Sequence, residues 1–246
     1  MPTLTRQKIV NLKHLLDGHT AGNSVRIEIR RNTCSAGLDI RTGERNKQPM
    51  GTLAEKWRNF LTQEKNENIV LIAVIRDRAL GGSLELALSA DILIAESNAK
   101  LAFPEVNLGL MPGLGGTQIL TRRVGPYKAA ELLMLGKEFT AEEARDMGLV
   151  NYVFDEADLE AEVEKLVKLL DSKPPESIKR IKKAIRIAQN VSLEEGFLKE
   201  GELFNELLLT DEAQKRIRNF LEKRDEKRRL RAKDKARTKH KRTEIA

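Results

Sequence analysis

The sequence predicts an α/β fold: strands alternate with helices through residues 1–155, a helical C-terminal section follows over 156–224, and a basic tail occupies 225–246. Three observations carry that prediction. IVLIAVI (69–75) is a continuous apolar run, as expected of a strand covered on both faces. VRIEIR (25–30) alternates Val25, Ile27 and Ile29 with charged residues, the pattern of a strand with one wet face. After Pro174-Pro175 the apolar residues recur only at helical spacing.

In chain order, Ile9, Leu12 and Leu16 give a first helix over 4–17 that Gly18 stops. The strand 25–30 follows, then a helix over 47–66 that contains the one tryptophan, Trp57. Strand 69–75 leads into the turn Gly81-Gly82-Ser83, a short helix to about Ala90, and a third strand, DILIA (91–95). The glycine-rich loop GLMPGLGGTQ (109–118) precedes helices at about 116–122, 126–135 and 140–147. GLVNYVF (148–154) reads as a short strand and 157–171 as a helix. Pro174-Pro175 opens a helix to about Gln189, and two more cover 193–208 and 211–224.

Composition limits the chemistry. The 246 residues, 40% of them hydrophobic, suffice for a sizeable core. One cysteine, Cys34, allows neither an internal disulfide nor a CxxC metal site, and His14, His19 and His240 are too dispersed for a ligand set, so no metal is expected. No apolar run reaches eighteen residues and the first residues lack a signal-peptide h-region, which leads to the expectation of a protein with no membrane span. The expected compartment is the reducing cytoplasm, with the mitochondrial matrix as the alternative. The net charge of +7 is confined to one place: residues 223–242 hold twelve Lys/Arg and three Asp/Glu, leaving the rest of the chain slightly acidic. With no large apolar residue between Leu230 and Ile245, that tail is expected to be disordered or a frayed extension of the last helix. It is also a candidate contact for RNA or another acidic partner, although it holds no aromatic residue for base stacking.

The glycine motifs narrow the function. GLGGTQ has neither the last glycine of a dinucleotide fingerprint nor the lysine of a phosphate-binding loop. In ALGGSLELA a strand ends, two residues without side chains expose backbone N–H groups, and a helix begins, an arrangement suited to an oxyanion hole. SAGLDI (35–40) repeats the design after the first strand: Ala36 and Gly37 permit close approach, and the Leu38 N–H can point into the same space. Asp39 borders that segment and is grouped with it, though a capping or structural role is the simpler reading; the same holds for Asp91. Leu108, Met111 and Leu114 are candidates to line an acyl pocket.

SAGLD, ALGGSLELALSADI, AKLAFPEVNLGLMPGLGGTQ and AEEARDMGLVN resemble, in order and spacing, the successive motifs of the crotonase, or enoyl-CoA hydratase, superfamily. The resemblance runs from about residue 5 to residue 224. It implies a crotonase-like spiral of ββα repeats, an acyl-CoA thioester as substrate with no further cofactor, and a homotrimer or hexamer. It maps the oxyanion hole onto the N–H groups of Leu38 and Gly82, and the two catalytic carboxyls onto Glu85 and Glu105. By similarity, Glu85 activates a water and Glu105 protonates Cα in a lyase reaction of fatty acid metabolism; one carboxylate alone would instead suit an isomerase or another acyl-CoA enzyme. Against the family pattern, the chain is expected to lack the usual first β-hairpin, which helps to hold CoA. Arg76-Asp77-Arg78 stands where the family often has an Asn-Gly pair, and is expected to bring charge close to the oxyanion hole.

Overall fold

The computed structural model describes residues 24–29 and 69–243, with the side chains of Val25 and of residues 229–243 left aside. The helices expected over 4–17 and 47–66, Ala36, Gly37, Leu38 and Asp39, and His14, His19, Cys34 and Trp57 lie outside the described residues.

A four-stranded parallel sheet forms the centre of the first compact unit. Its order is β1 (Ser24–Ile29), β2 (Val70–Ile75), β4 (Ile92–Glu96), β7 (Tyr152–Phe154). All six residues of β2 are buried, because neighbours flank it and both of its faces are covered. The strand period of two sorts the side chains. Leu71, Ala73 and Ile75 join Ile27, Ile29, Leu93 and Ala95 in the larger core, whereas Val70, Ile72 and Val74 face the opposite side with Ile94.

That opposite side is closed by α5 (Glu156–Asp171), whose Leu159 and Val163, one turn apart, are fully buried against the sheet, with Leu166, Val167 and Leu170 packed beside them. The larger core is closed by α1 (Gly82–Leu88), α2 (Gly116–Val124), α3 (Pro126–Leu135) and α4 (Ala141–Asp146). Local signals set these ends: Pro126 occupies the first turn of α3, Gly136 ends it in the left-handed region, and Thr140 and Glu143 form a reciprocal capping box on α4.

A second, three-stranded sheet was not expected. β3 (Arg78–Leu80) pairs parallel with β5 (Lys100–Ala102), which pairs antiparallel with β6 (Phe139–Thr140). Strands of two or three residues are too short to show a period of two in sequence. This small sheet matters for function, since β3 leads directly into α1, and a short 3₁₀ turn (Pro104–Leu108) follows shortly after β5.

The first compact unit ends at Lys182 and includes α5, which belongs to the packing of the sheet. Helix α6 (Pro175–Ala188) crosses the division. The second unit contains α7 (Leu193–Leu208), capped by the Ser192 hydroxyl accepting from the Glu195 N–H at 3.2 Å, and α8 (Asp211–Thr243). The tail, expected to be disordered or a frayed extension of the last helix, continues α8 as a helical backbone to Thr243. No helix among the described residues is long and apolar enough to cross a membrane.

Candidate active site

Every residue of α1 is buried, and one of them is a glutamate: Glu85 is 1% exposed. A carboxylate in such a position is costly unless donors satisfy it. They come from the glycine-rich loop some thirty residues further on. Glu85 Oε1 accepts from the Leu114 and Gly116 N–H groups, each at 2.7 Å. Gly116 must lack a side chain, since a Cβ there would lie 2.9 Å from Glu85 Oε1 and from Pro112 Cβ. The glycine-rich loop, which lacks the marks of a phosphate-binding loop, is a carboxylate cradle. Burial pushes the Glu85 carboxyl above its ordinary value, and the N–H groups of Gly116, Leu114 and Gly113 oppose that shift by favouring the charged form.

Glu105 arrives from the other side, in the 3₁₀ turn after β5, with Pro104 fixing the entry to that turn. Its carboxyl lies against Gly81: a Cβ at Gly81 would stand 2.7 Å from Glu105 Oε1. Gly81 also holds φ 53° and ψ −126°, a conformation closed to ordinary L side chains, while its N–H donates to the Ala102 carbonyl at 2.9 Å. That hydrogen bond ties the start of α1 to the strand that delivers Glu105. Burial raises the Glu105 carboxyl to about 7, its own backbone N–H works against the rise, and the negative charge of Glu85 adds to it. The second oxygens, Glu85 Oε2 and Glu105 Oε2, are buried and have no partner among the described residues. Gly82 opens α1, so its N–H precedes the helix's own hydrogen-bond ladder and is the kind of donor an oxyanion hole uses. Leu38, Ala36, Gly37 and Asp39 belong to the part not described.

Two expectations change. Arg76 and Arg78 were expected to bring charge toward the oxyanion hole, but both are held by carboxylates. Arg76 reaches Glu28 at 3.2 Å and Glu160 at 2.7 Å, and Arg78 reaches Glu138 at 3.2 Å. The cause is pairing across the sheet: the Arg76 N–H donates to Ile29 O, which sets its side chain beside Glu28 on the neighbouring strand. Of the three pocket candidates, Leu114 is a core residue at 2% exposure that serves the site through its N–H, whereas Leu108 and Met111 are 62% and 67% exposed. Asp91 does have a structural role: its Oδ2 accepts from the Leu71 N–H at 2.8 Å and from Lys182 Nζ at 2.6 Å. The donors Leu114 and Gly116 escaped the sequence reading, although the paired glycines of GLGG were their signal. Among the described residues no group of three His, Cys, Asp or Glu is placed to hold a metal ion.

Residues 18–228 match the enoyl-CoA hydratase/isomerase family. The chain is 39% identical over 158 residues to the 2,3-dehydroadipyl-CoA hydratase of Escherichia coli K12, a match that covers 64% of this chain and 62% of that one. It is 36% identical over 193 residues to a probable enoyl-CoA hydratase of Bacillus subtilis, covering 77% and 75%. The match to the E. coli relative thus spans less than two thirds of its length. A crystal structure from Geobacillus kaustophilus, described as an enoyl-CoA hydratase subunit, superimposes with a TM-score of 0.76 at 33% identity, covering 90% of this chain and 87% of that one.

Proposed function

The chain belongs to the enoyl-CoA hydratase/isomerase family, and from that premise we propose that it adds water across the double bond of a 2-enoyl-CoA thioester, with Glu85 as base and Glu105 as acid. The observation that supports this reading is the unequal treatment of two neighbouring carboxyls. Burial raises both, but at Glu85 the Leu114 and Gly116 N–H groups work against the rise and favour the charged form, while Glu105 is raised to about 7. Hydration needs a base and an acid.

In the proposed reaction Glu85 Oε2 accepts a proton from water as the water oxygen bonds to Cβ. The electron pair of the double bond moves toward the thioester carbonyl, and the resulting oxyanion is held by the Gly82 N–H and, by similarity, the Leu38 N–H. Glu105 then gives its proton to Cα. An oxyanion donor of this kind is worth ~3–4 kcal/mol in the transition state. Proton return from Glu85 to Glu105 through the product or solvent resets the pair.

The test is loss of the enoyl-thioester absorbance with crotonyl-CoA and with a longer-chain enoyl-CoA. Glu85→Gln and Glu105→Gln should each lower kcat by ~10²–10⁴-fold, the usual weight of general acid–base catalysis. No turnover by the unsubstituted, folded protein would reject the hydratase reading. A 3-enoyl to 2-enoyl shift that survives one of the two substitutions would assign an isomerase instead.

A further inference from the structure

We propose that Arg123 is a positioning residue for this site, holding α1 from the end opposite to Glu85. The inference rests on the hydratase reading for its catalytic consequence and on geometry for everything else. Helix α2 grips α1 at two points. At its first residue the Gly116 N–H donates to Glu85 Oε1 at 2.7 Å. In its last turn Arg123 Nη2 donates to the carbonyls of Leu88, at 3.0 Å, and Ala90, at 2.9 Å, where α1 ends. Leu88 and Ala90 are buried, so these carbonyls depend on a protein donor.

The need for such a grip lies in α1 itself. It has seven residues, no side-chain cap on Gly81, and no basic residue of its own in its last turn. A helix this short has little cooperative stability. Ser89 and Ala90 satisfy the Leu86 and Ala87 carbonyls, and the Arg123 cation adds from a neighbouring helix a donor for the Leu88 carbonyl and a positive charge at the negative pole of the dipole. Burial lowers the Arg123 pKa and the nearby Asp91 charge opposes that effect, so the guanidinium is held in place at a desolvation cost. Asp91 is itself bound to the Leu71 N–H and to Lys182, which couples the end of α1 to the sheet. A shift of α1 along its axis would move both Glu85 and the Gly82 N–H relative to Glu105.

The experiment compares the full-length protein with Arg123→Met, which keeps the apolar stem, and Arg123→Lys, which keeps the charge. For each, kcat and KM with an enoyl-CoA are measured well below the melting temperature, together with peptide-resolved hydrogen exchange. The expected result for Arg123→Met is a fall in kcat of ~10–100-fold, the cost of a small misplacement of catalytic groups. KM should change little, exchange should quicken in peptides covering 82–90, and Arg123→Lys should recover part of the loss. An unchanged kcat in Arg123→Met overturns the proposal. So does faster exchange spread evenly over the first unit, which would mark a merely structural residue. If the unsubstituted protein turns over no enoyl-CoA, the hydratase reading fails separately. Exchange over 82–90 then decides alone: local loosening in Arg123→Met supports the grip, and unaltered exchange overturns it.

Discussion

At the scale of single residues, the site is two carboxyls that differ only in what surrounds them. Glu85 is the more deeply buried, yet it is the one given backbone donors; Glu105 has only its own N–H against burial and a like charge. Burial raises both carboxyls, backbone donors oppose the rise at Glu85, and the Glu85 charge adds to the rise of Glu105 to about 7. On the proposed mechanism the activity should therefore fall as pH rises through about 7, because the proposed acid, Glu105, loses its proton. Stability follows the same direction. In the unfolded chain a glutamate ionises near ~4.3, whereas the folded Glu105 holds its proton to about 7, so between those values the native state binds more protons and is weakened as pH rises. Glu105→Gln removes a charge that the fold disfavours. It should melt at a higher temperature than the parent at pH 8, with the difference shrinking toward pH 5, as read by thermal denaturation across that range. A difference that instead grows on acidification would mean that the Glu105 carboxyl is held in its charged form.

At the scale of elements, the proposed chemistry depends on connections that bring remote segments to α1. Glu85 lies on α1, its donors start α2, and Glu105 follows β5, with Gly81 pressed between. Gly116→Ala tests this seat directly, because an added Cβ would meet Glu85 Oε1, Glu85 Cγ and Pro112 Cβ, all at 3.0 Å or less. The variant should fold and lose at least ~10²-fold in kcat through displacement of Glu85. Combined with Glu85→Gln it should add little further loss, since both changes act on one group, and a double-mutant cycle reads that coupling. Full additivity would place Gly116 outside the seat. These relations explain what was legible in the sequence. Periodicity is local, so the helices 126–135 and 193–208 were expected at their observed bounds and the strand 69–75 within one residue of its own. The glutamates were legible only because motif order flagged them; a glutamate in a helix is otherwise unremarkable in sequence. Which N–H groups would turn toward Glu85, and that Arg76 would pair with Glu28 and Glu160, depend on tertiary neighbours that no window of adjacent residues contains.

At the scale of the molecule, the apolar surface is unevenly explained. Among the described residues of the second unit, Phe197, Phe204, Leu209 and Phe220 are 61–79% exposed, on or just after helices α7 and α8 whose other faces carry charge. Single exposed hydrophobic residues are ordinary, but several large ones gathered on two neighbouring helices mark a surface that a protein contact would cover. Charge does not favour a polyanion at these residues, because the basic excess begins only at about Lys223. We propose a second copy of the chain as the occupant, in keeping with the homotrimer or hexamer expected from the sequence. The protein should accordingly scatter light as three or six times its 27.8 kDa chain mass. Phe204→Asp, which places a charge on an exposed face and disturbs no buried packing, should shift that mass toward the monomer while leaving the helical circular dichroism unchanged. A parent protein that is monomeric at tens of micromolar would instead leave the apolar faces of α7 and α8 to a different partner, and would separate the chemistry of Glu85 and Glu105 from any dependence on assembly.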